Sequence, residues 1–542
     1  MKKKLINPEF VYWLTVVLLM LPNIALCFTE SMSFMVCIAN IVLPLGIYMW
    51  LMTLANKPGK MIWVLFPLIF FAAFQLVLLY LFGQGVIAVD MFLNVVTSNS
   101  SEIFELLDNL IPAVAGVFII YLPLLAIGIA SIRSHVMAGQ PLSRHRRKAL
   151  WTIVAGIVCL FATYMTDSTY RLLNNLYPVN ACYNLCLAVE RSQVSAHYKE
   201  TAADYRFNAR STHSADSSEV YVMVIGETAR AHNFGLYGYS RNTTPLLGKT
   251  PGVVAFSNAV TQSNTTHKSV PMLLSAATAA DFSRLYDERG ILSAFREAGF
   301  FTAFFSNQQP NHSFIDFLGE QADTCMFLKT ARKNTNIYDG ELLPMVNRLL
   351  AQGKRKLFVV LHTYGSHFEY RERYPKSMAY YRPDDKTEAR YENRQSLMNA
   401  YDNTIRYTDY VLHSLIEMLE QHGGLSAILY TSDHGENIFD DNRRLFLHAS
   451  PKASEYELRI PYIIWQSTSH RQMFPDITVS LLANRDKQVQ NSISAFHTML
   501  TLGGISTPIF SPAASVASRS YRPHELQYLT DHNEPVPMVI GK

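Results

Sequence analysis

The hydrophobic positions follow two patterns, and the pattern changes after about residue 166. Before that point, long uninterrupted apolar runs are separated by short polar segments. From Glu219 onward, short apolar runs alternate with amphipathic segments. Each long run approaches the ~20 residues that an α-helix needs to cross a ~30 Å hydrocarbon core. We therefore predict five membrane-spanning helices, at Val11–Phe28, Phe34–Ala55, Met61–Phe82, Ile111–Ile132 and Ala149–Met165.

Basic residues mark alternate connections between these runs. Lys2–Lys4 precede the first run, Lys57 and Lys60 lie between the second and third, and Arg144–Lys148 lies between the fourth and fifth. The other connections carry acidic residues and neither Lys nor Arg. Because cytoplasmic loops are enriched in Lys and Arg, the pattern predicts a cytoplasmic N-terminus, and five spans then place everything after Met165 outside the cytoplasm. This topology explains the basic cluster, so we expect no nucleic-acid binding.

The composition agrees with a membrane half joined to a soluble half. Charged residues make up 17 % of the chain, below the roughly 25 % of soluble domains, and hydrophobic residues make up 49 %. The 542 residues also exceed the size at which a single core keeps growing. We predict a transmembrane domain with five helices over 1–166, interfacial helices and a linker over 167–218, and an extracytoplasmic α/β domain over 219–542.

Strand and helix patterns alternate in the last of these regions. We predict strands at Val220–Ile225, Phe301–Phe305, Leu357–Leu361, Ala427–Thr431 and Pro461–Trp465. Helices are predicted at Thr266–Ala276, Gly290–Ala298, Gly340–Gln352 and Leu397–Gln421. This alternation is typical of a mostly parallel sheet between helices, and such sheets bind ligands beyond the carboxyl ends of their strands.

Side chains suited to catalysis follow several of these strands. Thr266 opens a helix after a polar loop, where exposed backbone N–H groups favour an anion. The other candidates lie in loops after strands, and the full set is Glu227, Thr266, His367, Asp433, His434 and His448. Taken singly, each has an ordinary explanation, since Thr suits a helix N-cap and most histidines are structural. Their common placement predicts one site at the carboxyl edge of the sheet.

Two carboxylates, an imidazole and a hydroxyl form a ligand set for a divalent ion, and zinc suits this mixture of N and O atoms best. A threonine hydroxyl is a poor nucleophile near neutral pH. A metal ion can deprotonate it and stabilise charge on an attacked phosphorus atom. The residues therefore predict phosphoryl-linked group transfer through a metal-activated Thr266.

Several motifs resemble a known family. In chain order they are Val224–Arg230, Gly238–Pro245, Thr266 with Ser269–Pro271, His362–His367, Tyr401–Thr404, Ser432–Glu436, His448 and His497–Leu500. Together they resemble the phosphoethanolamine transferases of Gram-negative envelopes, which belong to the alkaline phosphatase/sulfatase superfamily and include the lipid A enzymes behind colistin resistance. The resemblance implies an α/β fold of that superfamily.

The resemblance also implies roles for individual residues. One zinc ion would be firmly bound by Glu227, Thr266, Asp433 and His434, with Thr266 as the nucleophile. His367 and His448 would bind the phosphoryl group or a second zinc ion and assist proton transfer. Thr266 would take phosphoethanolamine from phosphatidylethanolamine as a covalent intermediate and pass it to lipid A or lipopolysaccharide core. We expect a monomer in the bacterial inner membrane with a periplasmic catalytic domain.

A polar triplet in the membrane region resembles the family's Asn, Thr and Glu at spacing i, i+4, i+8. Here the residues are Asn94, Ser98 and Glu102, with Ser in place of the usual Thr. On a helix this spacing places three side chains on one face. The resemblance implies that they bind the ammonium head group of the lipid. The alternative is a solvated face of an extracytoplasmic helix.

Other positions depart from the lipid A enzymes, whose soluble domain contains several disulfides. Of six cysteines, Cys325 alone lies in the predicted catalytic domain, which therefore cannot form an internal disulfide. Gln262 replaces a cysteine before the nucleophile loop, Lys268 replaces a tyrosine-like position after the nucleophile, and Asn311 stands where the family has a lysine. These departures favour members that modify core sugars.

Three other functions are alternatives. A sulfatase needs a Cys or Ser followed by x-Pro-x-Arg, which the Thr266 region lacks. A phosphoglycerol transferase shares the five-span plan and the threonine nucleophile, although the Asn94 triplet favours ethanolamine. A non-catalytic lipid-binding module would have lost a metal ligand, and none is missing.

Overall fold

The computed structural model describes residues 7–97, 100–134, 140–331 and 337–540 of the chain. Two compact units are present. The first comprises the chain up to Val96 with Leu106–Glu190, and the second comprises Thr97–Glu105 with Arg191–Lys542. The limits predicted for the transmembrane, linker and catalytic regions stay predictions.

Up to Thr201, all the regular secondary structure in the described residues is helical. The helices are α1 (Pro8–Thr29), α2 (Phe34–Leu51), α3 (Pro58–Val64), α4 (Phe66–Phe82), α5 (Val89–Thr97), α6 (Ser100–Arg133), α7 (Gln140–Thr166), α8 (Leu172–Asn175), α9 (Val179–Ala196) and α10 (Tyr198–Thr201). By length and apolar composition, four of the described helices can cross a membrane, or five if α3 and α4 form one broken span. The predicted apolar helices are thereby confirmed.

The predicted span Met61–Phe82 is not one straight helix. α3 and α4 meet at a bend of 63°, and Leu65 separates them. Pro67, in the first turn of α4, explains the break. A proline has no N–H to donate, and its ring clashes with the carbonyl four residues earlier, so it favours a bend or a break. α1 and α2 nevertheless continue through Pro22 and Pro44.

Buried amide side chains satisfy backbone groups inside the first unit. Asn23 Nδ2 donates to Tyr177 O at 2.8 Å. Gln75 Nε2 donates to Gly85 O at 2.7 Å, and Gln75 Oε1 accepts from Ile87 N at 3.1 Å. Unpaired backbone groups are costly in hydrocarbon, so these amides make non-helical segments compatible with a membrane-embedded unit.

A seven-stranded sheet forms the centre of the second unit. Its strands are β1 (Glu219–Gly226), β2 (Val253–Ala255), β3 (Phe301–Ser306), β4 (Thr324–Phe327), β5 (Lys356–His362), β6 (Leu425–Ser432) and β7 (Tyr462–Gln466). Their spatial order is β2-β7-β6-β1-β5-β3-β4. All neighbours are parallel except β7, which is antiparallel to both β2 and β6. The predicted, mostly parallel sheet is confirmed.

Short strands at the sheet edges were not predicted. β2 and β4 have only three and four residues, too few to show a periodic pattern. Separate two-stranded pairs join Arg210–Ser211 to Ile505–Ser506, Ala259–Val260 to Val489–Gln490, Asn437–Ile438 to Phe446–Leu447, and Gln527–Leu529 to Pro535–Pro537.

Helices accompany the strands throughout this unit. They are α11 (Thr266–Leu274), α12 (Ile291–Glu297), α13 (Phe314–Gly319), α14 (Leu328–Ala331), α15 (Leu343–Leu350), α16 (Arg394–His422), α17 (Glu455–Leu458), α18 (Thr468–Met473), α19 (Pro475–Asn484) and α20 (Asn491–Leu502). The predicted helix Gly340–Gln352 starts later than expected: a 3-10 turn covers Asp339–Leu342 before α15 begins. Pro344 lies in the first turn of α15, where a missing N–H costs no intrahelical hydrogen bond.

Both faces of the sheet are buried. Every residue of β1 is buried, and its side chains alternate between two cores. Tyr221 and Met223 belong to the core that includes residues of α11, α12 and α20, whereas Val220 and Val222 belong to the core that includes residues of α15 and α16. This double coverage explains why the strands appear as continuous apolar runs.

Truncating a buried side chain of β1 tests the central position of this strand. Met223 is 0 % exposed, so Met223→Ala should cost about 2–5 kcal/mol through lost burial and a residual cavity. We expect the thermal unfolding of the second unit, followed in the full chain in detergent, to shift down by several degrees. Met326→Ala on the edge strand β4, where the side chain is 43 % exposed, is the matched control. Equal shifts for both variants would contradict the sheet order.

Candidate functional site

Three potential metal ligands converge beyond the carboxyl ends of β1 and β6. Glu227 follows β1, and Asp433 and His434 follow β6. Their ligand atoms all lie within 4.8 Å of one another, and each side chain is at most 1 % exposed. Because β1 and β6 are parallel neighbours with Gly226 opposite Ser432, the residues after them must meet. Among the described residues, no other group of three His, Cys, Asp or Glu side chains is arranged this way.

Thr266 lies at the first position of α11 and joins this cluster. Its Oγ1 donates to Glu227 Oε1 at 3.1 Å and lies 3.0 Å from His434 Nε2. The N-cap of α11 is instead Thr265, so the ordinary explanation of Thr266 as a capping residue is wrong. The N-terminal N–H groups of the helix add partial positive charge at the same place.

Backbone groups fix the orientation of the ligands. Asp433 Oδ1 accepts from the N–H groups of Thr228 at 3.1 Å and His434 at 2.7 Å. Asp433 Oδ2 accepts from Ser269 Oγ at 3.3 Å. His434 Nδ1 lies 2.9 Å from Gly435 O, so Nδ1 carries a proton and donates to that carbonyl. His434 Nε2 therefore presents its lone pair to the cluster.

Burial makes this cluster electrostatically unfavourable without a cation. Burial and the charge of Asp433 hold the pKa of the Glu227 carboxyl well above its usual range. Burial raises the pKa of Asp433 to about 7 and lowers the pKa of His434. Neighbouring buried carboxylates repel each other and lack solvation. A divalent cation neutralises both, and this N/O donor set fits zinc.

His367 and His448 lie beside the cluster. The His448 ring is 4.2 Å from the His434 ring and 6.2 Å from the His367 ring, measured between centroids. His448 Nδ1 lies 3.2 Å from Glu436 Oε1, and His367 Nδ1 lies 2.6 Å from Phe368 O. Burial lowers the pKa of His367. For His448 burial acts in the same direction, but the hydrogen bond and charge of Glu436 outweigh it and raise the pKa.

The sequence did not reveal one direct partner of this cluster. Gln308 follows β3, and its Nε2 donates to Glu227 Oε2 at 3.2 Å and to Thr363 O at 2.9 Å. It thereby holds the second carboxylate oxygen of Glu227. A single glutamine after a strand has no chemical signature, although its place at the carboxyl edge would have made it a candidate.

A buried ion pair behind the site was also missed. The Arg230 side chain is 2 % exposed, its Nη1 lies 2.5 Å from Asp440 Oδ2, and it donates to Glu436 O at 2.8 Å. Tyr401 Oη donates to Thr228 O at 2.7 Å. Arg230 and Tyr401 belong to motifs that carry the family resemblance. Only the tertiary structure shows that they support the loops after β1 and β6.

Two of the departures from the family have structural explanations. Gln262 Oε1 accepts from Ala279 N at 3.0 Å, and Gln262 Nε2 donates to Gln490 Oε1 at 3.0 Å. Lys268 is 2 % exposed, and its Nζ donates to Thr530 O at 2.8 Å. These side chains connect the segments flanking the nucleophile to other parts of the unit. All six cysteines, each within the described residues, are free thiols.

The side chains of the predicted lipid-binding triplet lie outside what the structure describes. Ser98 lies outside the described residues, and the side chains of Asn94 and Glu102 are likewise not described. Asn94 belongs to α5 and Glu102 to α6. The role of the triplet stays a prediction.

Comparisons with known proteins show the family to which the second unit is related. A family model described as Sulfatase matches residues 219–505. Phosphoethanolamine transferase EptA of Escherichia coli (strain K12) is 28 % identical over 316 residues, which cover 56 % of each chain. The Kdo(2)-lipid A phosphoethanolamine 7''-transferase of Salmonella typhimurium is 28 % identical over 273 residues, covering 48 % of this chain and 47 % of that protein. The chain thus spans about half the length of the curated relatives it matches.

Solved structures extend the likeness to the membrane unit. The integral membrane lipooligosaccharide phosphoethanolamine transferase A from Neisseria meningitidis superposes with a TM-score of 0.75 at 22 % identity, covering 96 % of this chain and 100 % of that chain. A zinc complex of the C-terminal periplasmic domain of EptC from Escherichia coli gives a TM-score of 0.55 at 23 % identity, covering 61 % and 95 %. These matches confirm the predicted fold, apolar N-terminal helices followed by a sulfatase-like α/β domain.

Removing one carboxylate tests the metal centre. We expect Glu227→Gln and Asp433→Asn to lower the zinc content of the purified full chain by at least tenfold, because each removes a charged ligand. Elemental analysis after dialysis measures this. Asp409→Asn is the control, since Asp409 is a buried carboxyl that accepts from Leu247 N at 2.9 Å outside the cluster. Zinc retained at the wild-type level by the first two variants would refute the site.

Proposed function

This chain belongs to the sulfatase family, and from that premise we propose that it is a zinc-dependent phosphoethanolamine transferase. The donor is phosphatidylethanolamine, and the acceptor is lipid A or lipopolysaccharide core. The observation that carries the proposal is the Thr266 hydroxyl, placed 3.1 Å from Glu227 Oε1 and 3.0 Å from His434 Nε2 at a helix N-terminus. An alcohol in this position is equipped to attack a phosphate ester.

Glu227, Asp433 and His434 would hold the zinc ion, with Thr266 Oγ1 beside it. When bound, zinc supplies a Lewis acid that lowers the pKa of the threonine hydroxyl and offsets the negative charge of the phosphate. The E. coli EptC domain, a structural neighbour, is known as a zinc complex, which supports this choice of metal.

Group transfer begins at Thr266. Its oxygen attacks the phosphorus atom of phosphatidylethanolamine, and the bond from phosphorus to the diacylglycerol oxygen breaks as the new bond forms. The net proton transfer runs from the threonine hydroxyl to the departing diacylglycerol oxygen. We assign to His448 the protonation of that oxygen, since its Nδ1 is hydrogen-bonded to the buried carboxylate of Glu436, which favours the imidazolium form. The threonine proton is released to solvent.

The second half of the reaction reverses these roles. An acceptor oxygen attacks the threonine-bound phosphoethanolamine, the bond from phosphorus to the Thr266 oxygen breaks, and that oxygen takes up a proton from solvent. His448, now neutral, accepts the proton of the acceptor. A group that acts first as acid and then as base is what a double displacement requires.

The location of the enzyme follows from its membrane helices and its relatives. We place it in the bacterial inner membrane as a monomer, with the N-terminus in the cytoplasm and the second unit in the periplasm. The distribution of Lys and Arg between the apolar runs supports this orientation. The names of the relatives point to lipid A as the acceptor.

Mass spectrometry of envelope lipids tests the nucleophile and the acceptor. Cells that express the wild-type chain should gain phosphoethanolamine on lipid A or on core sugars, and Thr266→Ala should abolish the gain. Thr265→Ala changes the adjacent threonine, whose side chain makes no capping bond, and should retain most of the activity. A gain that survives Thr266→Ala excludes this residue as the nucleophile.

Replacing His448 separates proton transfer from metal binding. We expect His448→Asn to slow transfer by about 10²–10⁴-fold, the usual contribution of a general acid or base, with an unchanged zinc content. His413→Asn is the control, since His413 is partly exposed and lies 3.4 Å from Glu417 on α16. Steady-state transfer from phosphatidylethanolamine is the measurement, and an undiminished rate in His448→Asn contradicts the assignment.

A further inference from the structure

A cavity of about 310 Å³ lies within the second unit, in the layer formed by α10, α12 and α13. This volume is near the lower end of the range for small-molecule sites, roughly 300–1,000 Å³. The lining includes two residues of α10, two arginines that flank the start and mark the end of α12, and two residues at the end of α13: Tyr198, Lys199, Arg289, Arg296, Phe317 and Glu320.

The cavity lies apart from the Thr266 site. Arg296 shortly precedes β3, which begins at Phe301, and Glu320 shortly precedes β4, which begins at Thr324. Residues that lead into these parallel strands lie toward the amino edge of the sheet, whereas Glu227 follows a strand at the carboxyl edge. Among the described residues, none that lines the cavity belongs to the cluster of potential metal ligands.

The lining carries more positive than negative charge. Lys199, Arg289 and Arg296 supply three positive charges, and Glu320 supplies the one negative charge, so two positive charges are in excess. The Lys199 ammonium lies 2.6 Å from Glu320 Oε2, which leaves the two guanidinium groups without a carboxylate in the lining. Like charges placed around one cavity repel each other, and an anion between them relieves that repulsion.

Backbone carbonyls hold both guanidinium groups in place. Arg289 donates through Nε to Ala202 O at 3.1 Å and through Nη2 to Ala203 O at 2.9 Å. Arg296 donates through Nη1 to Gln321 O at 3.0 Å. In the part of the chain that the structure describes, Arg289 Nη1 and Arg296 Nε and Nη2 have no acceptor. Guanidinium N–H groups suit phosphate oxygens, and groups that are already ordered lose little entropy when a ligand binds.

Aromatic rings form another part of the lining. The rings of Tyr198 and Phe317 are stacked with a centroid separation of 5.9 Å and an interplanar angle of 17°. The Tyr198 hydroxyl is occupied by the protein, because it donates to Glu288 O at 2.8 Å and accepts from Gln321 Nε2 at 2.7 Å. The cavity therefore combines donors for an anion with apolar surface for an organic group, which favours a phosphate ester over inorganic phosphate.

We propose that this cavity binds the phosphate group of a phosphate ester through Arg289 and Arg296, with Lys199 adding charge. A soluble phosphomonoester and the head group of an anionic lipid share this chemistry, and the test below distinguishes them. A bound phosphate connects α10 to α12, so it stabilises the attachment of α10 to the rest of the second unit. The inference does not depend on the proposed transfer reaction.

Binding to the full chain in detergent is measured with two radiolabelled probes, glycerol 3-phosphate and dioleoyl phosphatidic acid. Arg296→Gln should raise the Kd of the probe that occupies the cavity by about 10–100-fold, the range for a lost hydrogen bond to a charged group. Arg296→Lys, which keeps the charge, should stay closer to wild type. Any binding at the zinc site is common to all variants, so the difference between them reports the cavity.

Arg519→Gln is the matched control. Arg519 is an exposed arginine outside the cavity, with its Nη2 2.7 Å from Asp476 Oδ1 and a side chain that is 69 % exposed. The substitution changes the net charge of the chain by the same amount as Arg296→Gln. Both probes should bind this variant as they bind wild type, which separates loss of a lining donor from a general loss of positive charge.

A second variant protects the test against misfolding. The Lys199 side chain is 65 % exposed, so Lys199→Gln should leave the unfolding temperature unchanged and still weaken binding several-fold. Loss of glycerol 3-phosphate binding in these variants indicates a soluble ligand, and loss of phosphatidic acid binding alone indicates a lipid head group. The inference is overturned if neither probe binds wild type, if Arg296→Gln and Lys199→Gln bind both as wild type does, or if Arg519→Gln loses as much.

Discussion

Two carboxylates buried side by side at the end of a parallel sheet are the constraint on which the site depends. Glu227 and Asp433 are held together by the register of β1 and β6, in which Gly226 lies opposite Ser432. Neither can move into solvent, because each is at most 1 % exposed. Such a pair is stable only with protons or with a cation. A cation bound by this pair would lie beside the Thr266 hydroxyl and the start of α11, which is the arrangement that the proposed metal-activated nucleophile requires.

The close approach of loops around this pair depends on two glycines. A Cβ on Gly365 would lie 2.6 Å from Glu227 O, and the residue has a φ of +51°. A Cβ on Gly435 would lie 2.1 Å from Tyr456 O. Both contacts are far shorter than van der Waals distance, so only glycine fits. The glycines of the His362–His367 and Ser432–Glu436 motifs are thus explained by backbone proximity, which brings His367 and Glu436 near the cluster of Glu227, Asp433 and His434.

The sequence predicted the buried strands from their apolar runs. It predicted the common location of the candidate residues from the rule that parallel strands end at one edge of the sheet. Buried strands are apolar and continuous, and parallel strands end at one edge, so Glu227, Asp433 and His434 could be assigned to a common site. Pairings between distant segments could not be predicted. Gln308 on Glu227, and Arg230 on Asp440, arise only when separate loops pack together. The edge strands β2 and β4 were too short to show a periodic pattern. The bend before Pro67 was not predicted because the apolar run from Met61 to Phe82 is uniform apart from that proline.

The hydrogen bonds that hold the site residues come from two sources, backbone groups and side chains. Substitution can remove a side-chain partner but not a backbone partner. Asp433 and His434 are fixed by backbone groups of Thr228 and Gly435, and altering them means altering the sheet. His448, by contrast, is held by the Glu436 side chain. Side chains in loops can be exchanged without moving a strand. Asp433 and His434 are therefore tied to the backbone of the sheet, whereas the position of the His448 ring depends on a single side-chain contact.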